Sequence, residues 1–72
     1  MKDKVKKFIE STLKDAKNDT LTAENVINMR GQAFGAMVFC LENNLIEYDD
    51  FADYWDEKRE EFSKLAAEKA RR

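Results

Sequence analysis

An all-α fold, a compact three-helix bundle, is what this sequence predicts. The chain has no proline and only two glycines in 72 residues, so little in it interrupts helices. Apolar residues recur at the 3.6-residue helical period in three stretches, about 2–17, 22–43 and 50–70. Short links rich in Asn, Asp and Thr separate them. The second helix is expected to be central and largely buried, and residues 1–72 to form one helical domain.

In the first stretch Val5, Phe8, Ile9, Leu13 and Ala16 make one stripe, with Thr12 among them. A basic amphipathic helix can rest on a membrane. Here the apolar face is modest, and Asp3, Glu10 and Asp15 dilute the lysines, so packing against the core is expected instead. The link Asn18-Asp19-Thr20 is short enough to make the first two helices antiparallel neighbours.

The second stretch organises the rest. On a helical wheel, one broad arc carries Val26, Ile27, Met29, Ala33, Phe34, Met37, Val38, Cys40 and Leu41. The other carries Glu24, Asn25, Asn28, Gln32, Glu42 and Asn43. An ordinary packed helix needs an apolar stripe only somewhat wider than about 100°. This arc is broader, so Val26, Phe34, Val38 and Leu41 are expected between Phe8, Leu13, Trp55 and Phe62. Thr22 can cap the helix start, and Leu21 and Val26 have hydrophobic-staple spacing. Asn43-Asn44 suits its end, because Asn tolerates the left-handed conformation.

Three features depart from this pattern. Gly31 and Gly35 lie mid-helix, where each costs about 1 kcal/mol relative to Ala. Tight packing against another helix of the chain is the expected reason, and a homodimer through the Gly31 and Gly35 edge is the alternative. Arg30 falls in the apolar arc as a buried charge and is expected to meet a carboxylate of a neighbouring helix. Phe39 stands on the polar arc beside Gln32, Gly35 and Glu42. It is either covered by the chain after Leu45 or an exposed aromatic anchor.

Leu45 and Ile46 read as an apolar plug, and Asp49 or Asp50 as the cap of the third helix. That helix should bury Phe51, Tyr54, Trp55, Phe62, Leu65 and Ala66, with Lys58 and Lys69 inside the same arc. Acids at its start and Lys69, Arg71 and Arg72 at its end suit the helix dipole. Between Glu42 and Glu61 acids predominate, opposed only by Lys58 and Arg59. The net charge of −2 therefore conceals an acidic ridge and two basic ends.

Several chemistries find no support. The chain has no His, the commonest general base and metal ligand. Ser11, Ser63 and Cys40 lack an activating partner in sequence. The acids around Asp49 lack the glycine and spacing of a calcium loop, and no phosphate-binding Gly-rich loop is present. No catalytic residue, metal or cofactor is therefore expected. The apolar run is far shorter than the roughly 20 residues a bilayer needs, so no membrane partner is expected. The lone Cys40 cannot form an internal disulfide, and Met1 to Lys7 lead into no secretory apolar segment, which points to the cytoplasm.

What remains is recognition. The expected function is a non-enzymatic protein-binding module or regulator of the kind found among bacterial and phage accessory proteins. It would dock through Asn28, Gln32, Gly35 and Phe39 and through the acidic face of Asp53, Asp56, Glu57 and Glu60, toward a partner with a basic surface. A structural homodimer is one alternative. Binding of nucleic acid through the basic ends is another, but there is no helix-turn-helix signature and no basic stripe with interleaved aromatics.

Overall fold

Three helices, α1 (Lys2–Ala16), α2 (Ala23–Glu42) and α3 (Tyr48–Ala70), pack against one another in the computed structural model. It describes residues 2–71, apart from the side chain of Asp50. Arg72, read above as part of the basic helix end, lies outside the described residues. Arg30 reaches Ser63 while Phe34 meets Trp55, so α2 and α3 run in opposite directions. Tyr54 reaches Lys6 and Lys69 reaches Asn18, so α1 and α3 run the same way.

Local chemistry fixes the ends of α2. The Thr22 hydroxyl accepts from the Asn25 backbone N–H at 3.1 Å, and the Thr22 N–H donates to the Asn25 side-chain oxygen at 2.9 Å. This reciprocal box satisfies donors that the first helical turn leaves free. At the other end Asn44 adopts φ 57°, the Leu45 N–H reaches the Cys40 carbonyl at 2.8 Å, and the Asn44 N–H reaches that of Leu41 at 3.2 Å. This is the Schellman pattern, with Asn in the left-handed position usually given to Gly.

The start of α3 differs from expectation. Glu47 is the N-cap and makes no side-chain capping bond, while Asp49 and Asp50 fall inside the first turn. There the charge of Asp49 favours the positive end of the helix dipole rather than capping it. Ile46 is buried as the expected plug, but Leu45 is exposed.

The core is one cluster drawn from all three helices. Val5, Ile9 and Leu13 come from α1, Val26, Ala33, Met37 and Cys40 from α2, and Phe51, Trp55, Phe62 and Ala66 from α3. The second helix is less enclosed than its apolar arc suggests. Phe34 is 47% exposed, Ile27 is exposed and Val38 and Leu41 only half-buried; on α1, Phe8 is exposed too. The reason is geometric. With two neighbours on the same side, α2 has one covered face, and an apolar arc around half its cylinder overruns it. The molecule is also elongated, 40 × 18 × 16 Å with a radius of gyration of 12.4 Å. A globule of this length would have a radius near 11 Å. A rod of three helices leaves more side-chain surface uncovered than a sphere would.

The glycines lie on this uncovered side. A Cβ built at Gly31 or Gly35 meets nothing within 4 Å, and neither has positive φ. Packing against α1 or α3 is therefore not their role. Replacing both with Ala should stabilise the chain by about 1.5–2 kcal/mol, because only the backbone-entropy penalty is removed. A raised midpoint in thermal unfolding followed by circular dichroism is the expected result; an unchanged or lowered midpoint would mean that the glycines serve the fold.

Polar groups inside are satisfied. The Thr12 hydroxyl donates to the Phe8 carbonyl at 2.8 Å, and among the described residues no buried side-chain polar atom lacks a partner. Between α1 and α3 the Tyr54 hydroxyl donates to the Lys6 carbonyl at 3.2 Å. The ammonium groups of Lys6 and Lys58 lie 5.0 and 5.6 Å from the centre of the Tyr54 ring. Burial first, then the nearby Glu10 carboxylate, and more weakly Glu57 and Glu61, push the Tyr54 hydroxyl well above its ordinary range, so it stays a neutral donor.

Candidate functional site

The uncovered side of α2 has its own order. Ile27, Gly31, Phe34, Val38 and Leu41 follow one another at alternating four- and three-residue spacings, the repeat of a helix–helix seam. Ile27, Gly31 and Phe34 are exposed, Val38 is half-buried, and Leu41, also half-buried, packs on the core at the row's end. α2 thus carries two apolar rows, one turned into the bundle and one turned outward.

Where the outward row borders α3 it forms a groove. Phe34 packs on Trp55 with ring centroids 5.6 Å apart and planes tilted by 42°. This pair divides the groove into two hollows. One, of about 380 Å³ and widely open, is lined by Arg30, Gly31, Phe34, Trp55 and Arg59. The other, of about 250 Å³ and more enclosed, is lined by Phe34, Met37, Tyr48, Phe51, Ala52, Trp55 and Asp56. Phe34 and Tyr48 are among the most exposed large hydrophobic residues of the chain.

Arg30 does not meet the carboxylate expected for it. It is half-buried, and its Nη1 donates to the Ser63 hydroxyl at 3.0 Å. Partial exposure leaves water on the rest of the guanidinium, so the group does not require a buried counter-charge.

The residues selected from the sequence are all exposed, but they do not form one site. Asn28, Gln32, Gly35 and Phe39 lie on α2, and Phe39, at 62% exposure, is not covered by the chain after Leu45. Phe39 stands five positions after Phe34, which places it about 140° round the helix from the groove. Asp53, Asp56, Glu57 and Glu60 are exposed on α3, and of these only Asp56 lines the groove.

The acidic ridge is also partly neutralised along its own helix. Asp56 pairs with Arg59 at 3.6 Å, Glu60 with Lys64 at 3.6 Å and Glu61 with Lys58 at 3.1 Å. Sequence reasoning missed Phe34, Tyr48 and Arg59 as groove residues. The signal that could have found Phe34 is the second seam on α2, hidden because both rows belong to one broad arc; Tyr48 and Arg59 stand on α3, and only its placement beside α2 brings them to the groove.

Among the described residues no group of three or more His, Cys, Asp or Glu side chains could hold a metal ion, and no helix is long and apolar enough to cross a membrane. Cys40 is a free, buried thiol. Comparison of the chain with family models, with curated proteins and with solved structures finds no match, so any functional reading rests on the geometry above.

Proposed function

We propose that this chain is a small non-enzymatic protein-binding module that engages its partner through the uncovered side of α2 and the adjoining face of α3. One observation carries the reading: α2 is apolar on two sides, and only one side is used by the fold. The outward row presents Ile27 and Phe34 to solvent, and Phe39 is exposed farther round the uncovered side of the helix. Patches of this kind, rimmed by polar groups, mark interaction surfaces in soluble proteins. Two mid-helix glycines that serve no packing within the chain fit the same purpose, since they let another backbone approach.

Phe39 supplies the test. Its ring contributes little to the core, so Phe39→Ala should leave the unfolding midpoint unchanged within about 0.5 kcal/mol of stability. Affinity for a partner captured from the native host and identified by mass spectrometry should fall by roughly tenfold or more, the loss typical of an aromatic anchor. Unchanged affinity would take Phe39 out of the interface. A large loss of stability would make it a folding residue.

The open edge at Gly31 and Gly35 favours a second reading, a homodimer joined along α2. Sedimentation equilibrium decides it. A mass that stays at 8.4 kDa up to high concentration removes the dimer.

A further inference from the structure

We infer that the groove between α2 and α3 receives a segment of the protein partner that offers a carboxylate to Arg30 and Arg59 and an apolar side chain to the hollow beyond the Phe34–Trp55 pair. This rests on the protein-binding reading and adds to it where the partner seats and with what chemistry.

The first support is electrostatic. Arg30 and Arg59 line the same hollow in a chain whose net charge is −2. Arg30 has only a neutral hydroxyl for a partner, and among the described residues no carboxylate lies within ion-pair distance of it. Its guanidinium carries five N–H donors in a planar fork, so it keeps donors to spare. Arg59 is held by Asp56 alone, at 3.6 Å, in a pair whose side chains are 56% and 68% exposed. Such an exposed pair contributes little and exchanges readily for a better acceptor. Two guanidinium groups therefore line one hollow, and a carboxylate matches the planar fork of either with two parallel hydrogen bonds.

The second support is steric. Gly31 forms part of the wall between the two arginines' helices, and the space where its Cβ would stand is empty. An incoming group can therefore reach the helix backbone at that point.

The third is the neighbouring hollow. Met37, Phe51, Ala52 and Tyr48 make it mainly apolar, with Asp56, the ion-pair partner of Arg59, as its charged lining residue; Phe34 and Trp55 are shared with the arginine side, so one ligand can occupy both. Of the two volumes, about 250 Å³ lies below and about 380 Å³ near the bottom of the range for small-molecule sites, about 300–1,000 Å³, which suits side chains better than a cofactor.

Three fragments with one apolar body test the chemistry: 4-phenylbutyrate, 4-phenylbutyramide and 4-phenylbutylamine. Trp55 is the chain's single tryptophan and sits between the hollows, so its fluorescence and its indole N–H resonance report occupancy, together with the Gly31 amide. The carboxylate should half-saturate these signals at about tenfold lower concentration than the amide, and the amine should be weakest, as charge-assisted bonds to arginine require. Arg59→Gln, at an exposed site, should erase the preference for carboxylate while leaving the melting temperature unchanged; Arg30→Gln should erase it too, with a lowered melting temperature from the lost bond to Ser63. An amine that binds as well as the carboxylate overturns the inference, as do perturbations centred away from Gly31 and Trp55. So does a concentration-dependent rise in mass that Arg30→Gln abolishes, because a second copy would then fill the groove. The failures are separable. A partner that depends on Phe39 but a groove indifferent to the fragments removes this inference alone, whereas loss of the Phe39 dependence removes the interface reading without touching the fragment result.

Discussion

Phe62→Ala should bring this chain close to the edge of folding. Phe62 is completely buried and, with Phe51, Ile9 and Val26, is among the largest fully enclosed side chains. Truncating a core Phe to Ala removes about 3–5 kcal/mol, the transfer free energy of the ring plus the cavity it leaves. A chain of this length has only about 4–11 kcal/mol in total. The position matters as much as the residue. Phe51 already borders a hollow, so its neighbours have a space into which they can relax, whereas Phe62 lines neither hollow and its loss leaves an enclosed void. The expected result in urea, followed by circular dichroism, is a midpoint lowered by a third or more of the parent's, with helicity reduced even without denaturant. Phe34→Ala is the matched control. The same ring is lost, but from a half-exposed site, so the midpoint should move by less than about 1.5 kcal/mol in stability. Equal losses from the two substitutions would mean that the row facing outward is structural.

The contrast between Phe34 and Phe62 also shows how far the fold can be read from residue order. Period and punctuation alone locate three helices, because Thr22 with Asn25 and the Asn43-Asn44 pair terminate α2 through bonds among residues close in sequence. The interior of α3 is equally legible: Phe51, Trp55, Phe62 and Ala66 stand on one narrow arc and all are buried. The second helix is not, since periodicity identifies an apolar face but not how many neighbours will cover it. An arc of half a cylinder is compatible with a helix enclosed on two sides and with one enclosed on one side and exposed on the other. Only the placement of α1 and α3 on the same side distinguishes them. For the same reason the groove at Phe34, Trp55, Arg30 and Arg59 could not be assembled beforehand, because it joins residues some twenty to thirty positions apart. The expected partner of Arg30 was a carboxylate for want of any view of Ser63, which proximity in space alone supplies.

Lys69→Met should destabilise the chain by about 2 kcal/mol, although it exchanges a charged residue for an apolar one in a buried place. Lys69 is only 7% exposed, and its Nζ donates to the carbonyl oxygens of Asn18 at 2.7 Å and Leu21 at 3.1 Å. Those carbonyls belong to the α1–α2 link, so the ammonium ties the last turns of α3 to the turn that reverses the chain. Methionine matches much of the stem but has no donor, and it leaves two acceptors without their bonds. Hydrogen bonds from a charged donor contribute about 1.5–3 kcal/mol, which outweighs the small apolar gain. For a domain of this size the loss should lower the thermal midpoint by about 10 °C. The damage should also be local before it is global. The Asn18 N–H to Asp15 carbonyl and Leu21 N–H to Asn18 carbonyl bonds, both 3.1 Å, hold the link together, and their amide protons should exchange with solvent faster in the variant under native conditions. Lys64→Met, at an exposed site paired with Glu60 at 3.6 Å, removes the same charge and should change stability by no more than about 0.5 kcal/mol. If both variants melt together with the parent, the link holds its shape without the ammonium; if both fall equally, the loss reflects net charge rather than the clamp.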